Sequence, residues 1–242
     1  VFILWILNSK PRFKPFFNWH RLDEIRKEIF SKIINLGFPT AMQMLFEVGV
    51  FTAAIWLAGT MGTIDQAANQ IALNLSSMTF MIAVGLGVTA TIRVGNQKGL
   101  KRFGELKRIS LSIFLQVFVI EFFFAMGFFL LKDYLPMLYI ENVDVVTTAA
   151  SLLLIAGLFQ LSDGLQVVVL GALRGLQDVK VPTYITFIAY WIVGFPICYL
   201  LGKTLDMGSQ GIWIGLLAGL TASAVMLMIR FKYLTQKLVE DE

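Results

Sequence analysis

The sequence predicts an all-α membrane protein that crosses the bilayer six times, and three observations support this prediction. First, 57% of the 242 residues are hydrophobic and only 15% are charged, whereas about a quarter of an ordinary soluble domain is charged. Second, the charges gather in short clusters between long apolar blocks. Third, the blocks reach the roughly 20 residues that a helix needs to cross the hydrocarbon core. Since lipid offers the backbone no hydrogen-bond partners, we interpret the blocks as helices. The six blocks are 33–59, 66–92, 109–131, 146–172, 182–202 and 210–230.

The residues before the first block fall into two parts. Residues 1–7 are apolar but too short to span, and they show neither an initiator Met nor a signal-peptide pattern, so we expect them to end an earlier transmembrane helix. Residues 8–31 are interpreted as a linker whose aromatic side chains suit either the lipid headgroup layer or a connector that covers helix ends. His20, the one histidine, is expected to be a solvated loop residue. Residues 32–235 then hold the six helices, and residues 236–242 form a tail.

Small residues recur at intervals of four in two of the predicted helices. Gly171 and Gly175 lie at the end of the fourth helix, and Gly211, Gly215 and Gly219 share one face of the sixth. Because lipid tails are as apolar as the side chains, helices in a membrane associate through close packing, which small faces allow. We expect these faces to pack within the chain; dimerisation is the alternative.

Prolines mark the places where helices start or bend. Pro182 lies at the start of the fifth helix, where its missing N–H costs little. Pro39 and Pro196 lie inside the first and fifth helices and are expected to bend them. Cys198 is the one cysteine and lies in the fifth helix, so it forms neither a disulfide within the chain nor a metal cluster.

Basic residues alternate from one inter-helix segment to the next. The positive-inside rule places the basic segments in the cytoplasm, so both ends of the six-helix unit are predicted to be cytoplasmic. The net charge of +4 is therefore a topology signal, and no nucleic-acid partner is predicted. All 20 Lys and Arg residues except Lys132 and Lys203 lie in segments 8–32, 93–108, 173–181 and 230–242.

The sequence carries no recognisable catalytic or nucleotide-binding motif. The stretch GNQKGLKR, residues 95–102, does not match the GxxxxGK[ST] pattern of a P-loop. No HExxH, nucleophile elbow or serine–histidine arrangement is present in the sequence. The chain is therefore predicted not to be an enzyme.

Three carboxylates lie inside apolar blocks, namely Glu47, Glu121 and Asp163. A charge near the bilayer centre costs at least a few kcal/mol, so each needs a physical reason. Glu47 and Asp163 share their helix faces with other polar residues, which predicts a binding role. Glu121 is surrounded by aromatic and aliphatic residues, and for it we expect a structural or a protonated role.

Three of the predicted helices each carry a polar stripe at mid-membrane depth, and we expect these stripes to face one another. Stripes at helical spacing would form a water-accessible pocket whose oxygens suit Na⁺, and a desolvated carboxylate can instead take up a proton. The alternative is that the amides and hydroxyls bond neighbouring helices together. The candidate lining residues are Gln43, Gln70, Asn74, Ser77, Phe159 and Gln166.

Five segments together resemble the C-terminal half of the MATE (multidrug and toxic compound extrusion) transporters, in their NorM-like branch. The resemblance extends over about residues 1–235, and the motifs occur in the family's order. It implies a twelve-helix antiporter of two six-helix lobes around a central cleft, with this chain as the C-lobe and residues 8–31 as the cytoplasmic link between lobes. The segments are GFPTAMQMLFEVGVF, NQIALNLSSM, TIRVGNQKG, FQLSDGLQVVVLGALRGLQD and TYITFIAYWIVGFP.

The resemblance also implies a function and a site. Members of the family export small organic cations in exchange for Na⁺ or H⁺, and they need no other cofactor. Their C-lobe cation site uses a glutamate and an aspartate that match Glu47 and Asp163, and nothing in it matches Glu121. Some Na⁺-coupled relatives have a tyrosine one turn before that aspartate, where this chain has Phe159. The resemblance places the protein in the lipid of the cell inner membrane, with the N-terminal lobe as its partner.

We therefore predict secondary active efflux in which the organic cation and the coupling ion compete for the Glu47 and Asp163 carboxylates. Two other functions remain as alternatives. A flippase for lipid-linked oligosaccharides should have a strongly cationic cavity for pyrophosphate, whereas the charges at mid-membrane depth are acidic. A non-transporting membrane scaffold gives no reason for buried carboxylates.

Overall fold

The computed structural model describes residues 27–240. The expectations for residues 1–7, for His20 and for residues 8–26 of the linker lie outside this part of the chain, as do those for residues 241 and 242.

The described part of the chain contains six helices that are long and apolar enough to cross a membrane. A short 3₁₀ turn, Pro136–Leu138, lies between the third and the fourth. The predicted all-α architecture with six spans is confirmed. The helices are α1 (Lys27–Gly59), α2 (Thr63–Gly99), α3 (Phe103–Leu131), α4 (Val143–Gly175), α5 (Lys180–Thr204) and α6 (Gly208–Glu240).

Several helices extend beyond the apolar blocks that predicted them. Residues 27–31 belong to α1 and residues 236–240 to α6, so these parts of the expected linker and tail are helical. α2 likewise continues to Gly99. Hydropathy marks only the part of a helix that lipid surrounds, whereas Lys, Glu and Gln continue a helix readily in water.

The chain divides into two compact units, and the boundary lies between Phe38 and Pro39. In the first unit, residues 27–38 form a helical segment with exposed apolar side chains, including those of Ile29 and Phe30. The second unit contains the rest of α1 together with α2–α6. α1 remains helical through Pro39, the proline for which a bend was expected.

α4 is the central helix of the second unit and packs against α2, α3 and α6. Its contact with α2 is made by backbone against backbone. A Cβ at Gly171 would collide with the carbonyl oxygen of Gly87, and a Cβ at Gly175 would lie 2.7 Å from that of Thr91. The Thr91 hydroxyl also donates to the Gly171 carbonyl oxygen at 2.9 Å. The predicted close packing by Gly171 and Gly175 is confirmed, and it occurs within the chain.

The glycine face of α6 packs against α5. A Cβ at Gly211 would lie 2.5 Å from the carbonyl carbon of Leu201, and one at Gly215 would collide with the backbone nitrogen of Cys198. A Cβ at Gly219 would lie 2.9 Å from Cα of Gly194 on α5. Packing within the chain therefore accounts for this face, as predicted, and dimerisation is not needed to explain it.

α5 changes its helix type along its length. Ile188–Gly194 and Leu200–Thr204 are π-helical, and an α-helical stretch, Phe195–Tyr199, lies between them. Pro196 lies in the first turn of that stretch. Since proline lacks an N–H and crowds the carbonyl four residues earlier, the wider π turn before it accommodates both effects.

Candidate functional site

A cavity of about 480 Å³ lies between α1, α2 and α4. Glu47 of α1 and Asp163 of α4 both line it, so the structure brings these two residues, hereafter the cavity acids, to one site. The rest of the lining is largely apolar. Two acids in an apolar wall suit a ligand that is cationic and partly apolar. The other polar lining residues are Gln70, Asn74, Ser76 and Ser77.

Glu47 is half-buried and accepts no hydrogen bond from any residue that the structure describes. It interacts electrostatically with Arg174 near the end of α4 and with Asp163. The arginine is charged at every relevant pH. Glu47 is therefore attracted by a permanent positive charge and repelled by a second acid when both acids are ionised.

Asp163 is 7% exposed and likewise accepts no hydrogen bond within residues 27–240. Its electrostatic neighbours are two other acids, Glu47 and Glu121. Like charges disfavour each other most strongly where water is excluded. Such a group of acids is stable only if a cation approaches it or if protons bind to it.

Phe159 forms an aromatic wall of the cavity one turn before Asp163. Its ring is 2% exposed and meets the rings of Phe51 and Trp213 edge-on, with centroid distances of 5.9 and 5.3 Å. A phenyl ring offers no oxygen to a metal ion, but its face attracts an organic cation.

The predicted stripe on α2 lines the cavity, and its bonds do not join α2 to another membrane-crossing helix. The Ser77 hydroxyl donates to the backbone carbonyl of Asn74 at 2.7 Å. The Asn74 side chain accepts a hydrogen bond of 2.8 Å from the Tyr139 hydroxyl, in the segment between α3 and α4. Gln70 is exposed to the cavity. These side chains therefore remain at the cavity surface.

Other polar residues of α2, which the sequence analysis did not single out, bond the helices together. The Thr79 hydroxyl bonds with Gln160 Oε1 of α4 at 2.5 Å, and both residues are buried. The indole N–H of Trp213 on α6 donates to Asn69 Oδ1 at 2.9 Å. Polar cross-helix bonding thus occurs on a different face of α2 from the stripe of Gln70, Asn74 and Ser77, for which such bonding was the alternative to lining a cavity.

Two of the expected lining residues lie outside the cavity. Gln43 is 2% exposed and its Oε1 accepts a hydrogen bond of 3.1 Å from Arg174 Nη2. Gln166 is fully buried and its Oε1 accepts one of 2.6 Å from the Tyr190 hydroxyl of α5. Each amide is drawn away from the cavity because a donor on a neighbouring helix offers it a bond.

Sequence reasoning missed Arg174 and Tyr190 as neighbours of the cavity acids. Arg174 was counted as a loop residue, although it lies eleven residues after Asp163 and so three helical turns further along the same face. Tyr190 is 2% exposed and interacts electrostatically with both cavity acids. The spacing of Arg174 was a usable signal; no pattern in the sequence singled out Tyr190.

Within the described ranges, no group of three or more His, Cys, Asp or Glu side chains is placed to hold a metal ion. A cation at the cavity acids would therefore need further oxygen ligands. The Ser76 hydroxyl is one such oxygen, because it lines the cavity, is buried and has no hydrogen-bond partner in this part of the chain. Water is the other obvious source.

Comparison with protein families gives a match to MatE over residues 39–200. Two curated relatives have 38% identity to this chain. One is a probable multidrug resistance protein NorM from Agrobacterium fabrum, aligned over 91% of this chain and 47% of its own length. The other is the multidrug resistance protein MdtK from Proteus mirabilis, aligned over 86% and 46%. The chain thus spans about half the length of these relatives.

Solved structures show the same fold. The eukaryotic MATE transporter AtDTX14 superposes with a TM-score of 0.80 at 22% identity, over 90% of this chain and 51% of that one. An outward-facing multidrug resistance MATE transporter of the MOP superfamily gives 0.82 at 18% identity, over 91% and 49%. The six helices described here therefore correspond to about half of each of these structures.

Proposed function

The chain belongs to the MatE family, and from this premise we propose that it forms one six-helix half of a secondary active transporter that exports organic cations in exchange for Na⁺ or H⁺. The names of its multidrug resistance relatives support efflux. One observation on the chain itself carries the proposal. The two cavity acids line one largely apolar cavity and accept no hydrogen bond from any described residue.

Exchange requires that the coupling ion and the organic cation weaken each other's binding. The cavity acids supply this coupling, because Glu47 and Asp163 offer two negative charges at most. An organic cation binds while they are ionised, held by charge and by the Phe159 wall. A Na⁺ ion or a proton that neutralises them removes the attraction, the organic cation leaves, and the neutralised carrier returns.

Arg174 acts in this scheme as a positioning residue for Glu47. Its guanidinium is held by Gln43, one turn from Glu47 on α1, and it interacts electrostatically with Glu47 itself. When no external cation is bound, Glu47 turns to this internal one. The competition lowers the affinity of the cavity for cations and so favours release.

Both coupling ions are compatible with the residues present. A proton needs only the carboxylates, which can bind it directly. Na⁺ needs several oxygens, and Ser76 together with the cavity acids would supply part of its shell. Phe159 adds none, so a Na⁺ ion would depend on water and Ser76 where some relatives offer a tyrosine.

The rest of the transporter follows from the same premise. A second six-helix lobe would complete the central cleft, since the chain spans about half the length of its relatives. The distribution of Lys and Arg supports cytoplasmic ends for this lobe in a bacterial inner membrane, and residues 8–26 would link the lobes. The acidic cavity argues against the flippase alternative.

The proposal is tested with the full-length protein in lipid vesicles that contain a fluorescent organic cation. Export is driven first by a Na⁺ gradient without a pH gradient, and then by a pH gradient alone. We expect Glu47→Gln to abolish export under whichever gradient drives the wild type, because an amide neither ionises nor binds a proton.

The matched control is Glu28→Gln, which changes an exposed acid on the same helix and should leave export intact. Membrane insertion of each variant is checked by its recovery in the vesicles. Gradient-driven export that survives Glu47→Gln would contradict the proposed exchange.

A further inference from the structure

Glu121 is a third acid in the membrane-crossing part of the chain, and the proposed exchange does not use it. It lies on α3, is 1% exposed, and receives no hydrogen bond from any residue between 27 and 240. Its Oε1 atom is buried and has no partner there. Glu121 does not line the cavity that the other two acids share.

A recess in α4 holds the Glu121 side chain against Gly164, the residue that follows Asp163. The recess exists because residue 164 is glycine: a Cβ there would lie 2.6 Å from Cγ of Glu121 and 3.3 Å from its Cδ. Val117, one turn earlier on α3, lies 3.1 Å from the same point and closes the recess. The carboxyls of Glu121 and Asp163 interact electrostatically.

No positive charge in the described helices stabilises an ionised Glu121. α3 packs against α2, α4 and α6. Among the described residues of these helices, Asp163 is the one charged or titratable group that interacts electrostatically with Glu121. Arg174, the cation on α4, interacts with Glu47 instead. An unpaired carboxylate in a low-dielectric site is far more costly than a neutral carboxylic acid.

We propose that Glu121 is a proton-binding site behind the cavity, and that its proton sets the charge of the Glu121–Asp163 pair. The proton is taken from water and is held on a carboxyl oxygen of Glu121. With the proton bound, Glu121 is neutral and adds no negative charge near Asp163. When the proton returns to water at higher pH, a negative charge arises on Glu121 and strengthens the binding of a cation at Asp163.

Infrared spectroscopy of the full-length protein tests the proton itself, because a protonated carboxylic acid has a C=O band separate from that of a carboxylate. At neutral pH we expect Glu121→Gln to remove part of this band. Glu105→Gln, which changes an exposed acid on the same helix, should leave the band unchanged. An unchanged band in folded Glu121→Gln protein would overturn the proposal.

If the Glu121→Gln variant fails to fold, Glu121→Asp is used instead, because it keeps an acid at this position. The band should then shift in position, and an unshifted band would also overturn the proposal.

Binding of tetraphenylphosphonium to the purified full-length protein tests the effect on Asp163. Between neutral and alkaline pH, we expect the affinity of the wild type to rise more than that of Glu121→Gln, by a factor on the order of ten. Glu105→Gln should behave like the wild type. An equal rise in wild type and Glu121→Gln would mean that the Glu121 proton does not influence the cavity, and the second half of the proposal would fall.

The predicted effect of the Glu121 proton on cation binding rests on the proposed function, whereas the presence of the proton does not. Should Glu47→Gln keep its gradient-driven export while the infrared band depends on Glu121, the exchange would be wrong and the proton site would stand. Should the band be independent of Glu121 while Glu47→Gln abolishes export, the proton site would be wrong and the exchange would stand.

Discussion

Two acids near helix ends, Asp178 and Asp65, are bonded to partners in the chain, whereas the three acids inside the membrane-crossing parts accept no hydrogen bond from the described residues. Asp178, in the short segment after α4, pairs with Arg230 of α6 at 2.7 Å. Asp65, in the first turn of α2, accepts bonds of 2.9 and 2.6 Å from the backbone N–H and hydroxyl of Ser209. The two cavity acids and Glu121 accept no hydrogen bond from the described residues.

The bonded and the unbonded carboxylates have two different roles in the molecule. Where a carboxylate joins helices, the neighbouring helix supplies a donor, and the bond stabilises the fold. In the cavity the donor is missing, although leaving a buried charge unpaired costs several kcal/mol. The fold tolerates this cost where the partner of the carboxylate is a mobile ion or a proton.

The strongest way to break this comparison is Asp163→Asn. An amide of nearly the same shape carries no charge and binds no proton, so we expect gradient-driven export to fall by about 100-fold. Transport assays in vesicles measure the loss, with Asp144→Asn, an exposed acid in the first turn of α4, as the control. If Asp163→Asn exports at the rate of the wild type, the cavity acids are not the coupling site.

Arg174→Gln sharpens the comparison, because Arg174 is the one basic residue of the described helices that interacts electrostatically with a cavity acid. Without it, Glu47 loses its competing partner, and we expect the cavity to bind an organic cation about 10-fold more tightly. Equilibrium binding to the purified full-length protein measures the change. Lys180→Gln removes an exposed basic residue at the start of α5 and serves as the control. Weaker binding in Arg174→Gln would show that Arg174 supports the site in another way.

The smallest effect is expected for Asp178, which follows α4 and pairs with Arg230. Asp178→Asn should lower the free energy of unfolding by about 1 kcal/mol, because its pair with Arg230 is partly exposed and such pairs contribute little. Thermal unfolding in detergent measures this loss, and export should remain within about twofold of the wild type. A loss of export comparable to that of Asp163→Asn would erase the distinction between the two kinds of acid.

The fold and the choice of cavity acids followed from local properties of the sequence. Apolar blocks located all six helices, because the bilayer sets one length for every span. The cost of burying a charge, together with the family resemblance, selected Glu47 and Asp163, and the structure places both on one cavity. The glycine faces were predictable for a similar reason, since close approach leaves no room for any other residue.

The parts that could not be predicted depend on what faces each side chain. Gln43 and Gln166 have the spacing of lining residues, but Arg174 and Tyr190 bind them elsewhere. Glu121 appeared isolated because its own helix is apolar around it, and its relation to Asp163 arises only through the recess at Gly164. A helix face can be inferred from one segment, whereas its neighbour is set by tertiary packing.

The π-helical turns of α5 have a consequence for how this helix can vary in length among relatives. A π turn bonds residue i to i+5, so it contains one residue more than the α turn that it replaces. Removing one residue from Ile188–Gly194 would let the stretch close as an α-helix while the flanking residues keep their facing toward α6. A deletion between Gly211 and Gly215 in α6 cannot be absorbed in this way, since it would rotate Gly211 by about 100° relative to Gly215 and Gly219. Among relatives, single-residue insertions and deletions should therefore occur in the π-helical stretches of α5 and be excluded from residues 211–219 of α6.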